Sequence, residues 1–231
     1  MKRVNLFDVS RNGTVEEVQS VLTNANINGQ TRIGGSSALH LACSTGNVPI
    51  VKLLLERGAS TSLKDDLGNY ALHKAAECVN VAPVLKLLLD HGADVNVCGT
   101  SGRTALHLVA ACNRKYDSSA CIEALLLLIK AGGDVDARVT TAKTTPLHYA
   151  VRVQELNVVH VLLNLGAQEC RSTVGTQLQS ASYRQDLVPI LLEFGHSMFI
   201  RSPCGHWESP LHSSRGATRW VPNINSTNLL L

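Results

Sequence analysis

The sequence predicts an all-α solenoid of stacked helix-turn-helix units with short β-hairpin or turn projections, and three observations carry that prediction. The quartet Ala38-Leu39-His40-Leu41 returns as Ala71-Leu72-His73-Lys74, Ala105-Leu106-His107-Leu108 and Pro146-Leu147-His148-Tyr149. Each copy is followed by a Gly-Ala or Gly-Gly step at Gly58, Gly92, Gly132 or Gly166, which lie 18, 19, 25 and 18 residues after those histidines. Aromatic residues make up only 4% of the 231 while hydrophobic residues reach 45%, so Ala, Leu and Val must form the core. Small aliphatic side chains suit closely spaced helices that each bury a modest stripe. A fixed period in the low thirties means one small unit copied along the chain, and copies stack into an open rod rather than around one central core.

The elements follow in order. Leu6 to Asn28 reads as a degenerate first unit, with Asn12-Gly13 at the helix break and Val18, Val21 and Leu22 on its second helix. In the next unit Ser37 is placed to cap a short helix opened by Ala38-Leu39-His40. Gly46-Asn47 breaks it, and Val48 to Glu56 resumes with apolar residues at 50, 51, 54 and 55, a helical stripe. Gly58 then supplies a left-handed residue at no Cβ cost. Ala59 to Gly68 and Ala93 to Gly102 are polar and turn-rich, which predicts a projection between successive helix pairs. The steps from His40 to His73, His107 and His148 are 33, 34 and 41 residues, so the third interval carries an insertion near Asn113 to Ser119.

These motifs resemble the ankyrin repeat, a β-turn joined to two antiparallel helices with a T-P-L-H-x-A helix start and a G-A-D-V-N exit. Thr145-Pro146-Leu147-His148-Tyr149-Ala150 reproduces the start and Gly92-Ala93-Asp94-Val95-Asn96 the exit. The expected organisation is a degenerate capping repeat at 1–30, repeats at 31–63 and 64–97, one with an inter-helix insertion at 98–138, another at 139–169, a divergent one at 170–202, and an incomplete repeat with an irregular tail at 203–231. Gln177 and Gln179 replace Pro and His in the divergent unit, and Ser209-Pro210-Leu211-His212 starts a unit that no second apolar helix completes.

Chemistry is poorly signalled. His40, His73 and His107 recur at a spacing that a stacked unit explains better than a metal, since a ladder separates them by a repeat width. His40 with Cys43, and Cys204 with His206 and His212, lack the paired C-x-x-C spacing of a zinc site. Gly34-Gly35-Ser36-Ser37 has no Walker lysine, and neither a dinucleotide fingerprint nor a G-x-S-x-G elbow occurs. No catalytic, cofactor or metal residue is therefore expected, and the chain reads as a non-enzyme. The net charge of +3 is weak and the basic residues are scattered, which argues against nucleic acid. The N-terminus shows no signal core or membrane span, so the expected setting is cytoplasmic and also nuclear. Seven cysteines at irregular spacing are expected as free thiols. The glycosylation patterns at Asn12 and Asn225 are then chance matches.

What remains is surface. The resemblance places a concave strip on the hairpin tips and the exposed side of each first helix. Aligned by unit, that strip contains Lys64, Asp65, Asp66, Asn69, Glu77, Ser101, Arg103, Lys143, Arg152, Arg171 and Tyr183. Its charge runs from acidic to basic along the rod, and the expected ligand is a protein segment bound by a monomer. The insertion reads as tolerated loop length. The resemblance also implies a substrate-recruiting ubiquitin-ligase adaptor, though residues 213–231 hold no apolar helical box, and a hydroxylation acceptor at Asn96, eight residues after Leu88. A turn asparagine ordering the hairpin is the simpler account of Asn96.

Overall fold

A computed structural model of the chain describes residues 5–111, 118–168, 187–194, 200–201 and 207–208. Helices come in pairs: α1 (Leu6–Asn12) with α2 (Val15–Val21), α3 (Ala38–Thr45) with α4 (Val48–Glu56), α5 (Ala71–Ala76) with α6 (Val81–Asp90), α7 (Ala105–Ala110) with α8 (Ser118–Lys130), and α9 (Pro146–Val153) with α10 (Leu156–Asn164). A further helix, α11 (Leu187–Glu193), and a two-residue antiparallel pair, β1 (Ile200–Arg201) with β2 (Trp207–Glu208), follow. The divergent helix start at 176–179, the incomplete unit at 209–212 and the insertion at 113–117 lie outside the described residues.

The pairs stack in line. First helices touch first helices (α1–α3–α5–α7–α9) and second helices touch second helices (α2–α4–α6–α8–α10), with each pair also touching internally. One apolar cluster therefore runs the length of the rod, from Leu6 and Val18 through Leu39, Leu54, Leu72, Leu85, Leu106, Leu125, Leu147 and Leu162 to Leu191. No unit could bury its stripe alone, because each helix hides its apolar face only against the next copy.

Local signals set the boundaries. Ser37 Oγ accepts from His40 N–H, Thr14 and Glu17 form a reciprocal capping box, and Asn47 Oδ1 accepts from Ile50 N–H at the start of α4. Gly46 ends α3 in the left-handed region at φ 71°. The projections are held by little backbone pairing, single bridges joining Gln30 to Ser37 and Lys64 to Tyr70.

The histidines serve the stack. His40, His73 and His107 are all but fully buried, and each Nδ1 accepts from the backbone N–H of its own cap residue, Ser37, Tyr70 or Thr104, at 3.2–3.3 Å. With Nδ1 an acceptor, the neutral ring carries its proton on Nε2. That N–H donates across the interface to the carbonyls of Asn69 (3.1 Å), Arg103 (2.9 Å) and Thr144 (3.2 Å) respectively. Desolvation holds all three below the ordinary histidine pKa, partly offset by those carbonyls.

A second ladder joins the loops after the second helices. Asn28 Oδ1 accepts from Ser60 N–H at 2.8 Å, Asn96 bonds both Gly132 O and Asp134 N–H at 3.0 Å, and Asp136 Oδ1 accepts from Gln168 N–H at 2.9 Å. The equivalent position between them is Ser62, whose hydroxyl instead meets Ser60 at 2.9 Å.

The cysteines divide. Cys43 and Cys78 are buried and free, and Cys98 is exposed and free. Burial lifts the Cys43 thiol well above its usual pKa and pushes Cys78 up to about 11, so neither is a thiolate at neutral pH. Cys121 is disulfide-bonded, which corrects the expectation of free thiols throughout. Cys112, Cys170 and Cys204 lie outside the described residues.

Candidate functional site: the concave strip

The first helices α3, α5, α7 and α9 each bring the residues one and four positions after the histidine to a common face: Leu41 and Ser44, Lys74 and Glu77, Leu108 and Ala111, Tyr149 and Arg152. Between the third and fourth units this face and the adjoining hairpin enclose a groove of about 40 Å³ lined by Asn69, His73, Lys74, Glu77, Thr100, Arg103 and Leu108. Three strip residues from different elements, Asn69, Glu77 and Arg103, thus meet in one place. Two successive hairpins supply Asn69 and Arg103, and the residue that ends α5 supplies Glu77.

The remaining strip residues are placed as follows. Lys64 is exposed, with Nζ 5.2 Å from the Tyr70 ring centroid, and Asp66 is exposed beside it. Asn69 is a bridge, its Oδ1 accepting from Thr100 N–H at 3.0 Å and Thr100 hydroxyl at 2.9 Å. Ser101 and Lys143 occupy exposed turn positions at φ 62° and 52°. Arg103 is half-buried, its Nε donating to Thr100 O at 3.4 Å. Arg152 is exposed and lies over the Tyr149 ring at 4.9 Å, a cation–π geometry. Arg171 and Tyr183 lie outside the described residues.

Asp65 needs a correction. It is buried, its Oδ1 accepting from Leu67 and Asn69 N–H and its Oδ2 lying 2.8 Å from Lys74 Nζ. Burial pushes its carboxyl pKa up, but the Lys74 ammonium and the Asn69 N–H outweigh that and hold it below its ordinary value. Asp65 closes a turn and neutralises Lys74, leaving Asp66 and Glu77 as the strip's exposed acids. Asp65 could not be told from its exposed neighbour because the sequence shows two adjacent aspartates, and only the turn decides which points inward.

Sequence alignment passed over Lys74, Leu108 and Tyr149, which share the groove face, although the position after each histidine was a usable signal. It also passed over Ile33 and Leu67, which are 92% and 67% exposed at neighbouring hairpin tips. Asn96 has both amide atoms engaged with the next unit and is itself exposed. Among the described residues no group of three His, Cys, Asp or Glu side chains is placed to hold a metal. No described helix is long and apolar enough to cross a membrane.

Comparison with known proteins agrees with this geometry. A family model described as ankyrin repeats (3 copies) matches residues 6–98 and 81–174. Ankyrin repeat and SOCS box protein 3 of Bos taurus is 44% identical over 52 residues, 22% of this chain and 10% of that protein. B-cell lymphoma 3 protein homolog of Mus musculus is 36% identical over 149 residues, 62% of this chain and 30% of that protein. This chain therefore spans a tenth to under a third of the length of these relatives. The human ASB11 ankyrin repeat domain superposes with a TM-score of 0.75 over 90% of each chain at 24% identity, a likeness of fold. With family matches running from residue 6 to 174 over the stacked helix pairs just described, the chain belongs to the ankyrin-repeat family.

Proposed function

We propose that this chain is a non-enzymatic protein-interaction module that, as a monomer, holds a segment of one partner protein along its concave strip, without nucleic acid or cofactor. Ankyrin repeats indicate an interaction module as such, and the strip is proposed as its contact surface. The observation that supports it most is the groove where Asn69, Glu77 and Arg103 converge from two units beside the exposed Ser101. Lys64, Asp66, Lys143, Arg152, Arg171 and Tyr183 extend the proposed contact to either side, with units taken to begin near 31, 64, 98, 139 and 170. A cytoplasmic and nuclear setting goes with this reading.

A photo-crosslinking residue at Ser101 or Glu77 should trap the partner, whereas one at Lys52 or Lys86, exposed on second helices, should not. Simultaneous charge reversal at Arg103, Arg152 and Arg171 should abolish capture. Crosslinking from the second helices alone would move the contact to the opposite face.

One second reading has specific support. The similarity to a protein whose name carries a SOCS box favours a substrate-recruiting ubiquitin-ligase adaptor, in which the strip would hold the substrate. Co-purification of ligase subunits with the cellular protein tests it, and their absence from a partner-bearing complex would remove it.

A further inference from the structure

Two features of the strip, one in the second and third units and one in the fourth and fifth, are not explained by the fold. In the second and third units Ile33 and Leu67 project from adjacent hairpin tips at 92% and 67% exposure. The tips are tied by a hydrogen bond from Asp66 N–H to Gly34 O at 3.1 Å, and Leu67 is anchored by Thr100 hydroxyl donating to its carbonyl at 2.8 Å. Single exposed apolar residues are ordinary, but two large ones on consecutive rigid turns form a patch. In the next two units the corresponding tips are Ser101 and Ala142, so the patch stops there.

In the fourth and fifth units stand three cations. Arg103 is held by its own turn, Arg152 lies on the Tyr149 ring, and that ring meets the His107 ring edge-on at 5.5 Å between the two arginines. Arg103 is close enough to His107 that its charge adds to burial in lowering the imidazole pKa. Lys143 sits on the adjacent tip at φ 52°, where the three preceding units have Gly35, Gly68 and Gly102. A non-glycine residue there is strained, and strain that persists at an exposed tip marks a position where the side chain matters. Among the described residues the ion pairs are Lys52–Glu56 and Lys74–Asp65, and neither includes these three cations, although Glu77 shares the groove with Arg103.

Building on the strip as the binding surface, we infer that the bound segment carries an aliphatic side chain for the Ile33–Leu67 patch and, roughly five to nine residues away, acidic side chains for Arg103, Lys143 and Arg152. The spacing follows from geometry. Neighbouring units stack at the helix-packing distance of roughly 8–10 Å, so Ile33, the more exposed of the pair, lies two steps from Arg103 and three from Lys143 and Arg152, roughly 16–30 Å, with Leu67 one step nearer. An extended chain covers that at about 3.3 Å per residue. Charge complementarity sets the register and the salt dependence of capture, and the aliphatic anchor sets the residence time.

Selection of random sixteen-residue peptides displayed on phage against the intact 231-residue chain tests this. Enriched peptides should carry an aliphatic residue five to nine positions from a pair or more of Asp or Glu. Synthetic versions should bind more weakly at 0.5 M than at 0.1 M salt. Binding should fall at least tenfold on R103E/K143E/R152E and, separately, at least fivefold on I33D/L67D, with circular dichroism confirming that each variant is folded. Enriched peptides that are basic or lack that spacing, yet are lost on R103E/K143E/R152E, would overturn this inference and leave the strip standing as the contact. Peptides whose binding ignores both variants would overturn the inference and the strip together.

Discussion

In the second unit the hairpin tip and the break between helices are Gly35 at φ 57° and Gly46 at φ 71°; in the fifth, the same two places hold Lys143 at φ 52° and Gln154 at φ 67°. The backbone is the same and the residues are not. Both units adopt a left-handed residue at the two places, and glycine does so without strain while Lys and Gln do so against a penalty of roughly 1–2 kcal/mol each. The neighbours explain which substitution is tolerated where. A Cβ on Gly35 would run into the Asp66 carboxylate and lie 2.9 Å from its backbone nitrogen, and one on Gly46 would lie 3.2 Å from Asn80 N. The second unit is closed over by the third at these points. In the fifth, Lys143 is an exposed tip and Gln154 a half-buried helix end. Gly35 and Gly46 thus each mark a close approach as well as a turn.

Both units share a buried histidine whose Nδ1 accepts from its cap residue, His40 from Ser37 and His148 from Thr145, and breaking the histidine ladder should have the largest effect. His107→Ala removes the ring that joins Thr104 to Thr144, leaves buried backbone groups unpaired and opens a cavity, a loss of about 3–5 kcal/mol measurable by urea unfolding. Acid should reach the same bonds without mutation. Burial lowers the folded-state pKa of His40, His73 and His107 below the usual 6.5, so the unfolded chain binds protons first. The stability they contribute is complete above pH 6.5 and drains away as pH falls through the folded values, by at most about 1.4 kcal/mol per pH unit per histidine. Flat stability between pH 7 and 5 would remove the ladder from the account.

Next in size, Gly35→Lys, which copies the fifth unit into the second, should cost about 2–4 kcal/mol through the left-handed penalty and the collision with Asp66. A loss below about 1 kcal/mol would show that the neighbour yields. The reverse exchange sharpens the comparison. Gln154→Gly should stabilise by about 1 kcal/mol after allowance for the extra freedom of glycine in the unfolded chain, read as a raised denaturation midpoint. Lys143→Gly should stabilise similarly but weaken partner binding, separating strain from function. The smallest expected effect is Ser62→Asn, which would complete the loop ladder between the second and third units. The new bond should add about 0.5 kcal/mol, and no change would mean that those loops lie too far apart.

Much of this was legible in the chain. The helix starts at Ser37, Thr104 and Thr145, the break at Gly46 and the histidine ladder follow from capping chemistry and a repeated interval, both local. The divided fate of Asp65 and Asp66 was not legible, nor was the disulfide at Cys121, because each depends on what a neighbouring segment brings close. The strip was readable as a register but not as a surface: Lys74 belongs to its face yet is neutralised by a buried aspartate, and Ile33 and Leu67 looked like ordinary turn residues.

The amino-acid order alone determined that copies of one helical hairpin must shelter one another, since the apolar stripe and its caps recur whatever lies around them. Only the stacked structure decided which polar groups are consumed in joining the copies and which stand free, because a hydrogen bond between units is a matter of distance across an interface that no single unit encodes.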